Sequence, residues 1–221
     1  MLDSTLTYDG GWTDTASGHL LVSLPDGYDA DRSLRWPLLI YLHGANERGT
    51  DLELATTHGP VKERRAGRDL PFVMAVPQVP EGERWTVGRV VAALDAVTAA
   101  HRIDSDRVYL TGLSMGGFGT WEAIERVPER FAAAVPICGG GNPLGLVAAG
   151  AVPVWTFHGA QDDVVPLAAT EWMVRSLRDV GGDVRLTVYP EATHDSWTAT
   201  YASPEVYDWL LSHRISDRIP S

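Results

Sequence analysis

The chain holds a single cysteine, Cys138, among its 221 residues. No intrachain disulfide can form, and zinc sites built on several thiolates are excluded. No apolar run approaches the roughly 18 residues that a membrane-spanning helix needs. Positive charge is scarce: 18 Lys and Arg stand against 29 Asp and Glu, a formal net charge of −11. That field repels a phosphate backbone and argues against a nucleic-acid partner. There is no internal repeat, low-complexity tract or linker-like stretch, so residues 1–221 are expected to form one domain. The first five residues, Met1 to Thr5, offer neither a basic n-region nor an apolar h-region,. With no visible leader, the expected location is the cytoplasm. What is present is an ordinary globular composition, 44% apolar and 21% charged, in a chain long enough to build a sizeable core.

Short apolar runs alternate with helix-like stretches. The runs are Leu38–Leu42, Phe72–Val76, Val108–Leu110, Ala132–Val135, Val152–Phe157 and Leu186–Tyr189. Uninterrupted runs of this length suit strands of a parallel sheet covered on both faces. An earlier segment, His19–Leu24, is closed by Pro25-Asp26-Gly27 and reads as an antiparallel edge strand,. Val90, Val91, Leu94, Val97 and His101 fall at helical spacing, as do Leu167, Val174, Leu177 and Val180. Pro166 and Gly181-Gly182 punctuate the second set at its two ends,. This alternation predicts a doubly wound α/β sheet with a mostly parallel strand order, whose ligands sit beyond the carboxyl ends of the strands.

Directly after one run comes Gly112-Leu113-Ser114-Met115-Gly116, followed by a helical stretch. A G-x-S-x-G at a strand-to-helix turn projects the serine hydroxyl outward, and the helix N-terminus adds free N–H groups beside it. A serine nucleophile needs a general base. His194 lies in the loop after the last run and is the best placed of the seven histidines. His213, near the chain end, reads as a surface residue, and His101 as a satisfied structural one. An orienting carboxylate is offered by two neighbours, Asp162 and Asp163, after the run ending at Phe157. His43 reads as a buttress of the loop after Leu42. Glu47 and Arg48 read either as a surface ion pair or as shapers of a pocket mouth. The His43/Glu47, His158/Asp162 and His194/Asp195 pairs make neither an H-E-x-x-H motif nor a carboxylate cluster, so no metal is expected.

The stretches LHGANERG (42–49), VPQVPEGERW (76–85), DSDRVYLTGLSMGGFGTW (104–121), FAAAVPICGGG (131–141), PVWTFHGAQDDVVP (153–166) and TVYPEATHDSW (187–197) appear in the order of a known family. The sequence resembles the α/β-hydrolase superfamily. Within it, the chain is similar to the small phospholipase/carboxylesterase and predicted-peptidase (feruloyl-esterase-like) group. The resemblance implies a catalytic Ser114, Asp162 and His194, with Asp162 chosen over Asp163 because the family's acid stands four residues before the proline, here Pro166. It also implies an oxyanion hole from the backbone N–H groups of Ala45 and Met115. Relatives usually carry Gly where this chain has Asn46, and Asn is among the non-glycine residues that best tolerate left-handed backbone.

The implied activity is a serine esterase acting on small acyl or aryl carboxylic esters through an acyl-enzyme, without a cofactor. Two other classes are carried beside it: a serine peptidase, and a binding module on an inactive hydrolase fold. The expected partner is a small-molecule ester, with no nucleic acid, no membrane span and an open oligomeric state. The short spacing from Ser114 to His194 leaves room for little or no lid. Trp197 and then Trp85 are the expected substrate-binding aromatics. Trp155 is a further candidate, Trp121 and Trp172 are read as helix packing, and Cys138 as a buried inert thiol.

Overall fold

The computed structural model describes residues 2–8, 18–146 and 148–218; Met1, the first of the five N-terminal residues considered above, lies outside them. The strands are β1 (Leu2–Tyr8), β2 (Gly18–Leu24), β3 (Trp36–Leu42), β4 (Val73–Pro77), β5 (Ile103–Leu113), β6 (Ala133–Ile137), β7 (Val154–Gly159) and β8 (Val184–Tyr189). The helices between and after them are α1 (Gly59–Arg65), α2 (Val87–Ala100), α3 (Met115–Arg126), α4 (Leu167–Asp179), α5 (Trp197–Ala202) and α6 (Pro204–Leu211). One eight-stranded sheet runs in the order β1-β2-β4-β3-β5-β6-β7-β8. The β1–β2 and β2–β4 pairs are antiparallel, and all others are parallel.

The period-2 geometry of the strands divides the core into two faces. Leu38, Ile40, Leu42, Val108 and Leu110 point to one face, where α2, α3 and α4 pack through residues such as Val90, Leu94, Trp121, Ile124 and Met173. Leu39, Tyr41 and Tyr109 point to the other, beneath α1, α5 and α6 with Val61, Tyr201 and Tyr207. Burial on both sides is why the central strands read as unbroken apolar runs.

Three elements depart from the sequence reading. His19–Leu24 lies in β2, which is not the edge: β1 pairs outside it, with Leu6 opposite Leu20. Among the β1 side chains described, Tyr8 is buried and Leu6 half-buried against the core while Asp3, Ser4, Thr5 and Thr7 are exposed, so the apolar face is short and leaves little signal. Strand β5 begins at Ile103, five residues before Val108, because its first half carries Asp104, Asp106 and Arg107 at the sheet rim. Trp172 does not pack; it stands 61% exposed on the outer face of α4. The expected ends of α4 do appear. Pro166 precedes its first turn, and the Gly181 and Gly182 N–H groups close it on the Arg178 and Leu177 carbonyls,.

Among the described residues no helix is long and apolar enough to cross a membrane.

Candidate active site

The loops after β3, β5, β7 and β8 open at the carboxyl ends of adjacent parallel strands, where an α/β sheet presents its ligands,. Ser114 is the hinge between β5 and α3. Its backbone sits at φ 51° and ψ −116°, a conformation that costs a non-glycine residue roughly 1–3 kcal/mol. The turn holds it by packing. A Cβ on Gly116 would lie 1.9 Å from the Leu42 carbonyl oxygen, so the chain can pass this close to β3 only as glycine,. The Ser114 N–H donates to the Ile137 carbonyl at 3.0 Å and fixes the elbow to β6.

Three side chains from three loops meet there. The Ser114 Oγ lies 2.9 Å from His194 Nε2, and His194 Nδ1 lies 2.8 Å from Asp162 Oδ2. A carboxylate only accepts, so Nδ1 carries the hydrogen and the Nε2 lone pair faces the serine hydroxyl. Asp162 Oδ1 accepts from the Val164 and Val165 N–H groups, both at 2.9 Å. Burial pushes the Asp162 carboxyl up, while the His194 hydrogen bond and these two N–H groups pull it below its ordinary value,. Asp163 is exposed.

Ala45 opens a 3-10 turn, Ala45–Glu47, and Met115 opens α3. The first N–H groups of a helical turn have no acceptor within it. Because β3 and β5 are neighbours, the two openings stand side by side. Asn46 lies inside the 3-10 turn, and neither it nor any neighbour within the turn has positive φ; Gly49, at φ 132°, takes the left-handed position of this loop instead.

His43 braces the loop from below. Its Nδ1 donates to the Gly44 carbonyl at 2.6 Å, and its Nε2 accepts from the Val79 N–H at 3.0 Å. Burial lowers its pKa from 6.5 to about 4. The unfolded chain therefore binds this proton at a higher pH than the folded one. The associated stability is complete above about pH 6.5 and falls as the pH drops toward about 4, by roughly 3 kcal/mol in all. Urea titrations at pH 6.5 and 4.5 should show a larger stability loss in the parent protein than in His43→Gln. Equal losses would contradict this role for His43.

The two readings of Glu47 and Arg48 are decided by their contacts. Glu47 turns inward, 6% exposed, with one oxygen 3.8 Å from His58 Nε2. Arg48 donates to the Glu83 carbonyl at 2.5 Å and places Nη2 3.0 Å from the Met115 sulfur. They are not paired with each other. Arg48 thereby ties the β3 loop to the residue beside Ser114.

The aromatic candidates separate. Trp197 is half-buried at the start of α5, its ring edge-on to His194 with centroids 5.3 Å apart, and His58 lies against it at 5.5 Å. Trp85 belongs to the core; its Nε1 donates to the His43 carbonyl at 2.9 Å, and only part of it reaches a cleft. That cleft, about 550 Å³, runs beside the elbow between Met115, Phe118, Glu122, Arg84 and Asn142. Trp155 and Trp121 are buried. His101 differs from the satisfied histidine expected, because its buried Nε2 meets no hydrogen-bond partner.

Sequence reasoning weighed His158 with Asp162 only as a metal pair and missed it as a second imidazole beside the carboxylate. His158, fully buried at the end of β7, places Nε2 3.1 Å from Asp162 Oδ2. Their i, i+4 spacing across a strand-to-loop turn is the only trace of this in the sequence. Cys138, at φ 40°, is buried behind the site, and burial pushes its thiol up to about 12. Ligand atoms of Cys138, Asp162 and His194 lie within 4.8 Å of one another. A protonated thiol and a carboxylate already accepting from N–H groups on both oxygens are poor metal ligands.

The Dienelactone hydrolase family model matches residues 73–208, from β4 to within α6. The chain belongs to the dienelactone hydrolase family. A bifunctional acetylxylan esterase/xylanase from Neocallimastix patriciarum is 31% identical over 151 residues, 65% of this chain and 22% of that protein. A crystal structure of a thermostable esterase superposes with a TM-score of 0.84 at 31% identity, covering 96% of this chain and 63% of that one. A ferulic acid esterase gives 0.74 at 16% identity over 99% of this chain and 98% of the other, a likeness of fold. This dienelactone hydrolase family member thus spans about a fifth of the curated relative's length and under two thirds of the thermostable esterase chain. The two solved structures share the α/β architecture of the sheet described above.

Proposed function

We propose that the chain is a serine esterase cleaving small acyl or aryl carboxylic esters, with Ser114 as nucleophile, His194 as general base and acid, and Asp162 as the carboxylate that orients it. The observation that carries this reading is the unbroken hydrogen-bond chain from Ser114 Oγ through His194 to Asp162. Ser114 Oγ attacks the ester carbonyl carbon while His194 Nε2 takes the hydroxyl proton. The tetrahedral oxyanion faces the Ala45 and Met115 N–H groups, where donors fixed in advance stabilise developing charge. His194 then gives its proton to the departing alcohol, leaving an acyl-Ser114. A water adds to that ester through the same base, and the carboxylic acid leaves. Asp162 holds the imidazole in the reactive tautomer and stabilises the imidazolium without taking the proton.

The ester class is supported by the esterase relatives and by the surroundings of the nucleophile. Trp197 flanks His194 on one side, and the cleft beside Phe118 and the edge of Trp85 offers an apolar wall on the other. A planar acyl or aryl group fits such walls. On this reading p-nitrophenyl acetate is hydrolysed at least about 100-fold faster than the matching p-nitroanilide, and a fluorophosphonate labels one serine. Comparable rates on ester and anilide would favour the peptidase reading, and a folded protein that takes no label would favour the inactive binding module.

A further inference from the structure

His158 has more acceptors around it than a neutral ring can serve. Nε2 faces two oxygens, the Val165 carbonyl at 2.9 Å and Asp162 Oδ2 at 3.1 Å. A carbonyl and a carboxylate cannot donate, so Nε2 carries a hydrogen. Nδ1 lies 2.8 Å from the Thr170 hydroxyl on α4. That hydroxyl has one hydrogen, and it is committed to the Gly139 carbonyl at 2.5 Å. Thr170 Oγ is therefore an acceptor toward the ring, and Nδ1 must carry a hydrogen as well. A neutral imidazole has only one N–H.

We infer that His158 is held as a buried imidazolium, paired with Asp162 opposite His194, and that it is a positioning residue setting how strongly Asp162 acts on His194. The electrostatic effect of this pair on His194 rests on the hydrolase reading; the protonation state of His158 does not. Asp162 then accepts three N–H donors, from Val164, Val165 and His194, and has His158 Nε2 as an ion-pair contact 3.1 Å from Oδ2. A buried cation is tolerated where it is paired and its hydrogens are all placed, and both conditions hold here. The other ionisable groups around the pair are His194 and Asp195 from the loop after β8, Cys138 from the end of β6, and exposed Asp163 on the same loop. Thr170 and Gly139 contribute neutral dipoles. With His158 positive, the carboxylate's charge is shared between two rings, and its field at His194 is weakened.

Two measurements test this. In protein carrying 15N-labelled histidine rings at pH 8.5, one ring of the seven should keep protons on both nitrogens. Its signal should persist in His194→Ala and vanish in His158→Gln. If every ring has an unprotonated nitrogen, the inference fails whatever the enzyme does. The second is the pH profile of kcat/KM. Gln keeps a neutral N–H within reach of Asp162 and removes the charge, so the acid limb of His158→Gln should move to higher pH by about one unit. A merely structural role would lower kcat and leave the limb in place, and an active His158→Gln enzyme with an unmoved limb would overturn the positioning role. Should His158→Gln fail to fold, the spectrum of the parent protein and of His194→Ala still decides the protonation state.

Discussion

Ser114→Ala is expected to lower kcat on an activated ester by roughly 10⁵–10⁶-fold, with little change in KM. On the proposed mechanism the hydroxyl is the group that bonds to the acyl carbon, and it lies 2.9 Å from His194 Nε2. On the same mechanism, removing it leaves the two backbone N–H groups and the walls of the cleft to bind ester and transition state, with no group to form the bond. A residual rate of roughly 10³–10⁴ over water is the usual remainder when such donors persist. Alanine is also accommodated: the site loses one oxygen, and the backbone geometry is set by the glycines around it. A variant with undiminished turnover, freshly purified and shown free of parent enzyme, would place the chemistry elsewhere.

Gly116→Ala should be the most damaging small substitution for stability. The added Cβ would lie 1.9 Å from the Leu42 carbonyl oxygen and 2.5 Å from its carbon. Both atoms belong to a central strand paired on both sides, β4 and β5, so neither can yield as a flexible side chain would. The expected loss is roughly 3 kcal/mol or more, at the upper end of overpacking effects. Gly88→Ala is the control. Gly88 also lies in the first turn of a helix, but its nearest neighbour would be Thr86 Oγ1 at 3.9 Å. Ala there should be neutral or stabilise by a few tenths to about 1 kcal/mol. Urea unfolding of the three proteins measures both. Equal stabilities for the Gly116→Ala and Gly88→Ala variants would show that the elbow is looser than its packing indicates.

How much of this was legible in the sequence follows from which interactions are local. The elbow is contiguous: strand, G-x-S-x-G and helix stand within a dozen residues, so its geometry is written into glycine spacing. His194 and Asp162 were readable because parallel strands put their following loops on one edge, and chain order then says which loop carries which group. Choosing between Asp162 and Asp163 was different. Their composition is identical, and only the turn that sends one carboxylate to the Val164 and Val165 N–H groups and the other to solvent separates them; the family spacing served in its place. His158 was weighed with Asp162 only as a metal pair, because its meaning depends on α4, through Thr170, and on the end of β6, through Gly139. Strand β1 escaped because its apolar contribution is short: Leu6 and Tyr8 reach the core beside α2, between exposed Thr5 and Thr7. Trp172 was misplaced because helical position alone does not say which face of α4 meets the sheet. Asn46 was weighed for a left-handed conformation that the loop assigns to Gly49 three residues later.

On the proposed mechanism Asp162, accepting on both oxygens, and His194, fixed in one tautomer, give Ser114 a base ready before substrate arrives. That arrangement makes a covalent intermediate on one named oxygen the core of the account. The direct measurement is the site of attachment of the fluorophosphonate after complete reaction, read from the mass of the digested protein. The account predicts one adduct per chain, on the peptide bearing Ser114, absent from Ser114→Ala and slowed in Asp162→Asn. An adduct on another residue, or ester turnover that continues after Ser114 is fully modified, would contradict it.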